Sequence, residues 1–420
     1  MKKKIVVVGG GFAGLQFVKN IDKKVFDILL IDRLNHHQFQ PLFYQVATSS
    51  IEPSSISFPL RHVFNTRTSI QIRMTEVTKV LAAENKIETK VGSFDYDYLV
   101  VATGCKSNFF NNASIEANAL TLKTTYDAIA IRNHIIGVFE RILYASEDEK
   151  KHLFNIVIVG AGPTGVELAG AFAEIKRDIL PKDYPRIDFS KLSVYLIEGS
   201  KNTLNNMSDL AKKSSRDYLE ELGVKVMTET IVKSYDSKFA VLSNGETLPT
   251  STLIWAAGVI GNKIGGFPEE NWVANNRIVV NRHNLVKGCD NIYALGDIAL
   301  METPNFPKGH PQVANVAINQ AKLLAKNFSK MVKKEPLLEY EYKDLGTMAT
   351  IGRKKAVVDL PFFQFKGYFA WLIWMFLHLM LILSVRNKLF IFLNWAWSYF
   401  TKDSSLRLIL TPASNNEKNT

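Results

Sequence analysis

The 420-residue sequence has only two cysteines, Cys105 and Cys289, far apart and in no CxxC or CxxxxC spacing. That excludes a disulfide scaffold, a zinc ribbon and a dithiol redox centre, and no metal site is expected. A secretory leader is also lacking. Met1-Lys-Lys-Lys followed by Ile5 to Val8 has a basic end, but the apolar run stops after four residues at Gly9-Gly10-Gly11 and no cleavage site follows. No Arg-rich transit segment precedes it, so the protein is expected to stay where it is made. The net charge of +11 asks for an anionic partner, either nucleic acid or a phospholipid surface. The basic residues are scattered, with no basic helix motif or stacking platform, and nucleic acid is therefore not expected. With 47% apolar and 22% charged residues, the chain is globular and long enough for two or three domains.

What the sequence does contain is a duplication. Residues 4–8, KIVVV, read as a strand buried on both faces. Gly9-Gly10-Gly11-Phe12-Ala13-Gly14 follows, then a helical pattern to about Asn20, then a strand from Phe26 to Ile31 ending at Asp32. The pattern returns at 155–159, NIVIV, with Gly160-Ala161-Gly162-Pro163-Thr164-Gly165, a helix over VELAGAFAEI, and a strand from Leu192 to Ile197 ending at Glu198. Each copy closes on a polar approach, a buried strand and a small-residue stop, at Thr103-Gly104 and at Gly258. Weak turn-rich strands precede each closing strand, with a hairpin turn expected at Asn244-Gly245.

This arrangement suits a dinucleotide. A pyrophosphate must approach a helix N-terminus closely, where free N–H groups and the helix dipole attract it. Glycine keeps side chains out of its way and lets the helix pack on the strand. Gly9, Gly11 and Gly14 fill these roles in the first copy, and Gly160, Gly162 and Gly165 in the second. The acid ending the next strand, Asp32 or Glu198, accepts from a ribose hydroxyl. Glu198 lies far beyond Gly165, and Asp178 to Lys191, with Pro181 and Pro185, reads as a loop insertion that accounts for the excess. An acid at 198 repels a 2′-phosphate and favours NADH over NADPH, a preference tempered by Lys201 nearby.

Two such sites point to FAD in one and a nicotinamide dinucleotide in the other. The chain resembles the two-dinucleotide-binding flavoprotein reductases, and within them the type II NADH dehydrogenases (NADH:quinone oxidoreductases). The matching pieces are VVVGGGFAGL (6–15), NHHQFQPLFYQVATSSIEP (35–53), YLVVATG (98–104), VIVGAGPTGVELAG (157–170), WAAGV (255–259) and IYALGDIA (292–299). The resemblance implies an α/β fold: two Rossmann-like domains plus a C-terminal membrane-associated helical region. The expected boundaries are 1–115 with 275–350 for FAD, 116–274 for NADH, and 351–420 for membrane binding and dimerisation. It further implies that Asp297, Thr48, Thr103 and Gly104 lie against FAD, and that Glu167 lies near the nicotinamide and the flavin ring. A reading from the helix dipole alone also suits Glu167, as an acid in a first helical turn. The helix beginning near His310 matches the family's quinone side, with Asn315 and Asn319 where glutamine is usual, and Gln320 retained. The cysteines read as ordinary small apolar residues.

From Pro361 to Phe400 the composition turns aromatic and aliphatic, with four of the six tryptophans: Trp371, Trp374, Trp395 and Trp397. Tyr368 to Val385 would reach about 27 Å as a helix, just short of a hydrocarbon core of roughly 30 Å. Leu389 to Phe400 is too short to span. Three readings stay open: a pair of interfacial helices, a single span, and a buried or dimer contact. Aromatic residues suit the interface, and Lys366, Arg386, Lys388, Lys402 and Arg407 suit anionic head groups. The resemblance implies the first, hence a monotopic protein on the cytoplasmic face of the cell membrane, a quinone acceptor, no proton pumping, and a homodimer through the same region. Sulfide:quinone oxidoreductase needs flavin-adjacent cysteines, a soluble ferredoxin-type reductase would lack the tail, and an NADH-responsive flavin sensor would not turn over quinone. These are the rival expectations.

Overall fold

The computed structural model describes residues 2–64, 69–403 and 406–410. The helices that position the site are α1 (Phe12–Asn20), α2 (Phe43–Ala47), α3 (Thr125–Ile142), α4 (Pro163–Asp178), α5 (Ala314–Val332), α6 (Tyr368–Leu381) and α7 (Val385–Thr401). By internal packing the chain forms two units. The first holds the chain up to Gln38, Ser57–Lys106 and Val259–Lys343; the second holds Phe39–Ile56, Ser107–Gly258 and the chain from Asp344 on. These divisions differ from breaks at 115, 274 and 350. The segment Phe39–Ile56 joins the second unit because α2 packs on α3 and α4 there. The C-terminal region joins that same unit because the strand Thr347–Gly352 packs along α4.

The sheet of the first unit is wholly parallel, in the order Ile292–Ala294, Tyr98–Val101, Lys3–Val8, Phe26–Asp32, Ile70–Met74. Its β-branched and aliphatic runs pack on both faces, as a sheet covered on both sides requires. Val6, Val8, Leu29, Ile31, Leu99 and Val101 share one core cluster. Phe17 of α1 meets Phe328 of α5 edge-on, with ring centres 5.6 Å apart.

The second unit repeats the plan: Leu120–Thr121, Thr252–Trp255, Asn155–Val159, Ser193–Ile197, Val224–Met227, again all parallel. Val157, Val159, Ile197, Leu253 and Trp255 form its core. The expected hairpin is present, with Phe239–Leu242 antiparallel to Thr247–Pro249 and Gly245 at φ +88°. The stretch read as a loop insertion carries a helical turn, Leu180–Asp183, with Leu180 and Phe189 buried.

Beyond these lies an antiparallel sheet of Thr347–Gly352, Lys355–Leu360 and Phe363–Lys366, followed by α6 and α7. The apolar run expected from Tyr368 to Val385 breaks at Leu381, and the second helix starts earlier than Leu389, at Val385. Among the described residues no helix is long and apolar enough to cross a membrane, so the single-span reading fails.

Candidate functional site

The two glycine turns match almost atom for atom. Gly9 sits at φ +107° and Gly160 at φ +100°, a conformation open to glycine and strained for other residues. A Cβ on Gly14 would lie 1.8 Å from the Gly9 carbonyl oxygen, and one on Gly165 would lie 1.8 Å from that of Gly160. These contacts are the tight helix–strand packing the motif needs. The middle glycines behave oppositely: a Cβ on Gly11 or Gly162 would meet nothing within 4 Å. Both cap their helices, α1 and α4, and neither helix has a side chain accepting from its first N–H groups. A cradle of free donors and open space at a helix N-terminus fits a pyrophosphate.

The acidic partners repeat as well. Asp32 accepts from the N–H groups of Gly10 (2.6 Å) and Leu34 (2.7 Å); Glu198 accepts from Ala161 and Ser200, both at 2.7 Å. Each carboxylate thereby braces its own turn, and the remaining oxygen lone pairs are free for a ribose hydroxyl. Burial pushes the Asp32 carboxyl up, while the two backbone donors pull it down. His37 lies beneath the first turn, its Nδ1 3.0 Å from the Gly10 carbonyl oxygen. Burial lowers it to about 4, so its imidazole is neutral. Nothing in the sequence singled it out beyond its place in NHHQFQ.

In the first unit, Thr103 and Gly104 are held by Asn262. The Thr103 hydroxyl donates to the Asn262 carbonyl at 3.1 Å, and Asn262 donates back to the Thr103 and Gly104 carbonyls. Gly104, at φ +65°, has no atom near its missing side chain. Asp297 follows the strand Ile292–Ala294, and its carboxylate accepts from the Cys105 thiol at 2.9 Å. Cys105 is thus a donor to this acid, which corrects the reading of it as a plain apolar residue. Gly296, at φ +71°, packs against Ala13 and Ala317, where any larger side chain would collide. Gln320 is fully buried and its Oε1 accepts the Gly296 N–H at 2.9 Å, so its amide is committed to the Gly-Asp turn. Asn319 donates to Asn315 at 2.6 Å, and both are half-buried on α5.

In the second unit, Thr48 is buried at the end of α2, and its hydroxyl donates to the Tyr44 carbonyl at 2.8 Å. Gly258, at φ +87°, faces the ring of Phe110. Glu167 departs from the dipole reading. With Gly162 as cap, it lies one turn deeper than the first turn of α4, where the dipole has faded, and it points inward. Its Oε1 faces the Thr350 N–H at 3.4 Å. Burial dominates, raising its carboxyl to about 8. It lines a cavity of about 110 Å³ with Tyr44, Gln45, Glu174, Trp374 and Trp395.

The tail helices close this cavity. Ala370 and Trp374 of α6, and Ile391 and Trp395 of α7, are the buried positions, each pair one turn apart. The Trp395 Nε1 donates to Gln45 Oε1 at 2.8 Å, and Asn387 donates to the carbonyls of Ser54 and Ser55. His378 stacks on Trp374 and is lowered to about 4 by burial. The opposite faces are bare: Phe369, Phe376, Leu389, Phe392, Trp397 and Phe400 are all exposed. Arg407, counted above toward lipid head groups, instead pairs with Asp183 and Asp403. Gln45, Trp374 and Trp395 are lining positions of this cavity that the sequence did not separate from generic aromatic and amide content.

Twin dinucleotide cradles on twin parallel sheets define a two-nucleotide oxidoreductase. The chain matches the pyridine nucleotide-disulphide oxidoreductase family over residues 3–321 and the NDH2 C-terminal domain over 345–402. It is 30% identical to a type II NADH:quinone oxidoreductase of Mycobacterium tuberculosis, covering 95% of this chain and 89% of that one. It is 29% identical to the Staphylococcus aureus enzyme of the same name, over 85% of this chain and 89% of that one. The fold is that of NDH2 from Plasmodium falciparum solved with NADH, with a TM-score of 0.90 over 98% of this chain and 100% of that one at 23% identity. A sulfide:quinone oxidoreductase of Aquifex aeolicus is similar at a TM-score of 0.73 and 21% identity, over 96% of each chain. The chain belongs to the type II NADH:quinone oxidoreductase family.

Proposed function

We propose that this chain is a non-proton-pumping NADH:quinone oxidoreductase. The observation that carries this reading is a pair of matching cradles in a chain whose tail matches the NDH2 C-terminal domain. FAD, held there, would supply the chemistry that carries a hydride's two electrons from NADH to a quinone. The chain's residues supply the surroundings. Gly9, Gly11 and Gly14, with Asp32, Thr103, Gly104 and Asp297, hold FAD in the first unit; Gly160, Gly162, Gly165, Glu198 and Gly258 hold NADH in the second. Thr48 anchors the end of α2.

Glu167 keeps a proton at neutral pH, because burial raises its carboxyl to about 8. A neutral acid beside an acceptor can donate as negative charge develops on a quinone oxygen. The indoles of Trp371, Trp374 and Trp395 line the cavity beside it. Asn315 and Asn319 offer amides on the acceptor side, and Gln320 fixes the Gly-Asp turn. The bare apolar faces of α6 and α7 rest on the cytoplasmic surface of the cell membrane as interfacial helices, and a second copy docks through the same region.

The test is an anaerobic absorption spectrum of the purified protein. NADH bleaches the flavin band, a soluble quinone restores it, and sulfide does not bleach it. A colourless preparation that cannot be reconstituted with flavin, or a reduced flavin that quinone leaves bleached, overturns the reading.

A further inference from the structure

A second and larger cavity, of about 390 Å³, lies within the second unit between α2, α3 and α4. This is within the range of small-molecule sites. One stretch of its wall is apolar, with Ile135, Ile136 and Phe139 from α3 and Phe172, Ile175 and Ile179 from α4; Ala47, Thr48 and Ser49 at the end of α2 line it as well. Arg132 of α3 also lines it. That residue is 1% exposed, and its Nε and one terminal nitrogen have no hydrogen-bond partner. Glu52 is near enough for its charge to be felt, yet it makes no ion pair with Arg132.

The cavity's other charged side chains are Glu140, Asp183 and Arg407. Glu140 accepts from the Tyr184 hydroxyl at 2.7 Å, and Asp183 pairs with Arg407. Arg132 and Glu140 are eight residues apart on one helix, which places the two ends about 12 Å apart. The cavity therefore has an unpartnered cation at one end, an apolar stretch along α3 and α4, and a rim that keeps the Glu140 carboxylate, which disfavours a second acid there. An unpartnered guanidinium held out of water is costly, and the group that best relieves it is a planar carboxylate gripped by two parallel N–H bonds. A single cation calls for a single negative charge, and the walls call for an aliphatic chain.

We propose that this cavity binds a medium-chain aliphatic carboxylate, with its head on Arg132 and its chain along α3 and α4 toward Tyr184. The site shares no lining residue with the Glu167 cavity, and it stands independently of the quinone reading.

The test uses the full-length, flavin-loaded protein in detergent and decanoate carrying carbon-13 in its carboxyl group. The wild-type protein should show a resolved, saturable carboxyl resonance at one site per chain, distinct from micelle-dissolved decanoate. Arg132→Met should weaken binding at least about tenfold, the loss of hydrogen bonds to a charged group. Ile136→Trp fills the apolar wall while leaving Arg132 in place, so it should also abolish the resonance; it serves if Arg132→Met fails to fold. Acetate should bind at least about a hundredfold more weakly than decanoate, because it lacks the buried methylenes. The absence of a saturable resonance, equal binding by both variants, or acetate binding as well as decanoate each overturns the proposal.

Discussion

Two alanine substitutions three residues apart should have opposite consequences. Gly162 caps α4 at φ −70° and ψ −179°, backbone that alanine adopts without strain, and a Cβ there meets nothing within 4 Å. Gly162→Ala should therefore fold normally, and the stiffer unfolded chain should add about 0.4–1 kcal/mol of stability. The new methyl occupies the space through which the pyrophosphate reaches the helix N-terminus. Losing one close N–H contact to a charged group costs about 1.5–3 kcal/mol, or a rise of roughly ten- to hundredfold in the KM for NADH. Gly165→Ala puts its methyl 1.8 Å from the Gly160 carbonyl oxygen, and backbone cannot yield that far. Overpacking of this kind costs about 1–3 kcal/mol or more, and the melting temperature should fall. Steady-state kinetics with a soluble quinone and a melt followed by flavin fluorescence read both. The reasoning fails if Gly162→Ala leaves the KM for NADH unchanged, or if it melts as early as Gly165→Ala.

Glu167→Gln bears on pH dependence. The folded carboxyl titrates near 8 and the unfolded one near 4.5, so between these values the native state holds a proton that the unfolded state has released. Wild-type stability should fall as pH rises through that window, by up to about 1.4 kcal/mol per pH unit, and Glu167→Gln should lack that slope. Parallel slopes in a urea-melt series would refute it; in turnover, the same variant should slow flavin reoxidation by quinone more than flavin reduction by NADH. On the tail, Phe369→Glu with Phe400→Glu alters two exposed side chains. Flotation with anionic vesicles should show the double variant unbound, with NADH still bleaching the flavin; retained flotation would sink the interfacial reading.

The sequence carried the duplication well because each signal was local. A buried β-branched run, a glycine turn and an acid at the end of the next strand lie within one stretch of chain, and the structure adds only their atomic correspondence. Asp297 entered only through the family resemblance, and the structure places it in the short turn Gly296–Ile298 after the strand Ile292–Ala294. The arrangement around Glu167 was not. Its burial depends on Thr350 and Trp374, which lie about two hundred residues away in sequence, so the helix dipole was the only local argument available, and it placed the residue one turn too early. Arg132 was invisible for a related reason. On an amphipathic helix an arginine reads as a solvent-facing residue, and only the packing of α2 against α3 shows that it is enclosed. Cys105 looked inert because its partner is 192 positions away.

Trp395 reaches from the last helix to Gln45, while Asn387 grips the carbonyls of Ser54 and Ser55. The greasy foot is therefore masonry as well as mooring: the indoles that roof the Glu167 chamber stand on the same two helices whose outer sides are bare. Trimming the foot would unroof the Glu167 chamber as well as remove the bare faces, and grafting on a foreign apolar segment would replace those faces without rebuilding the roof.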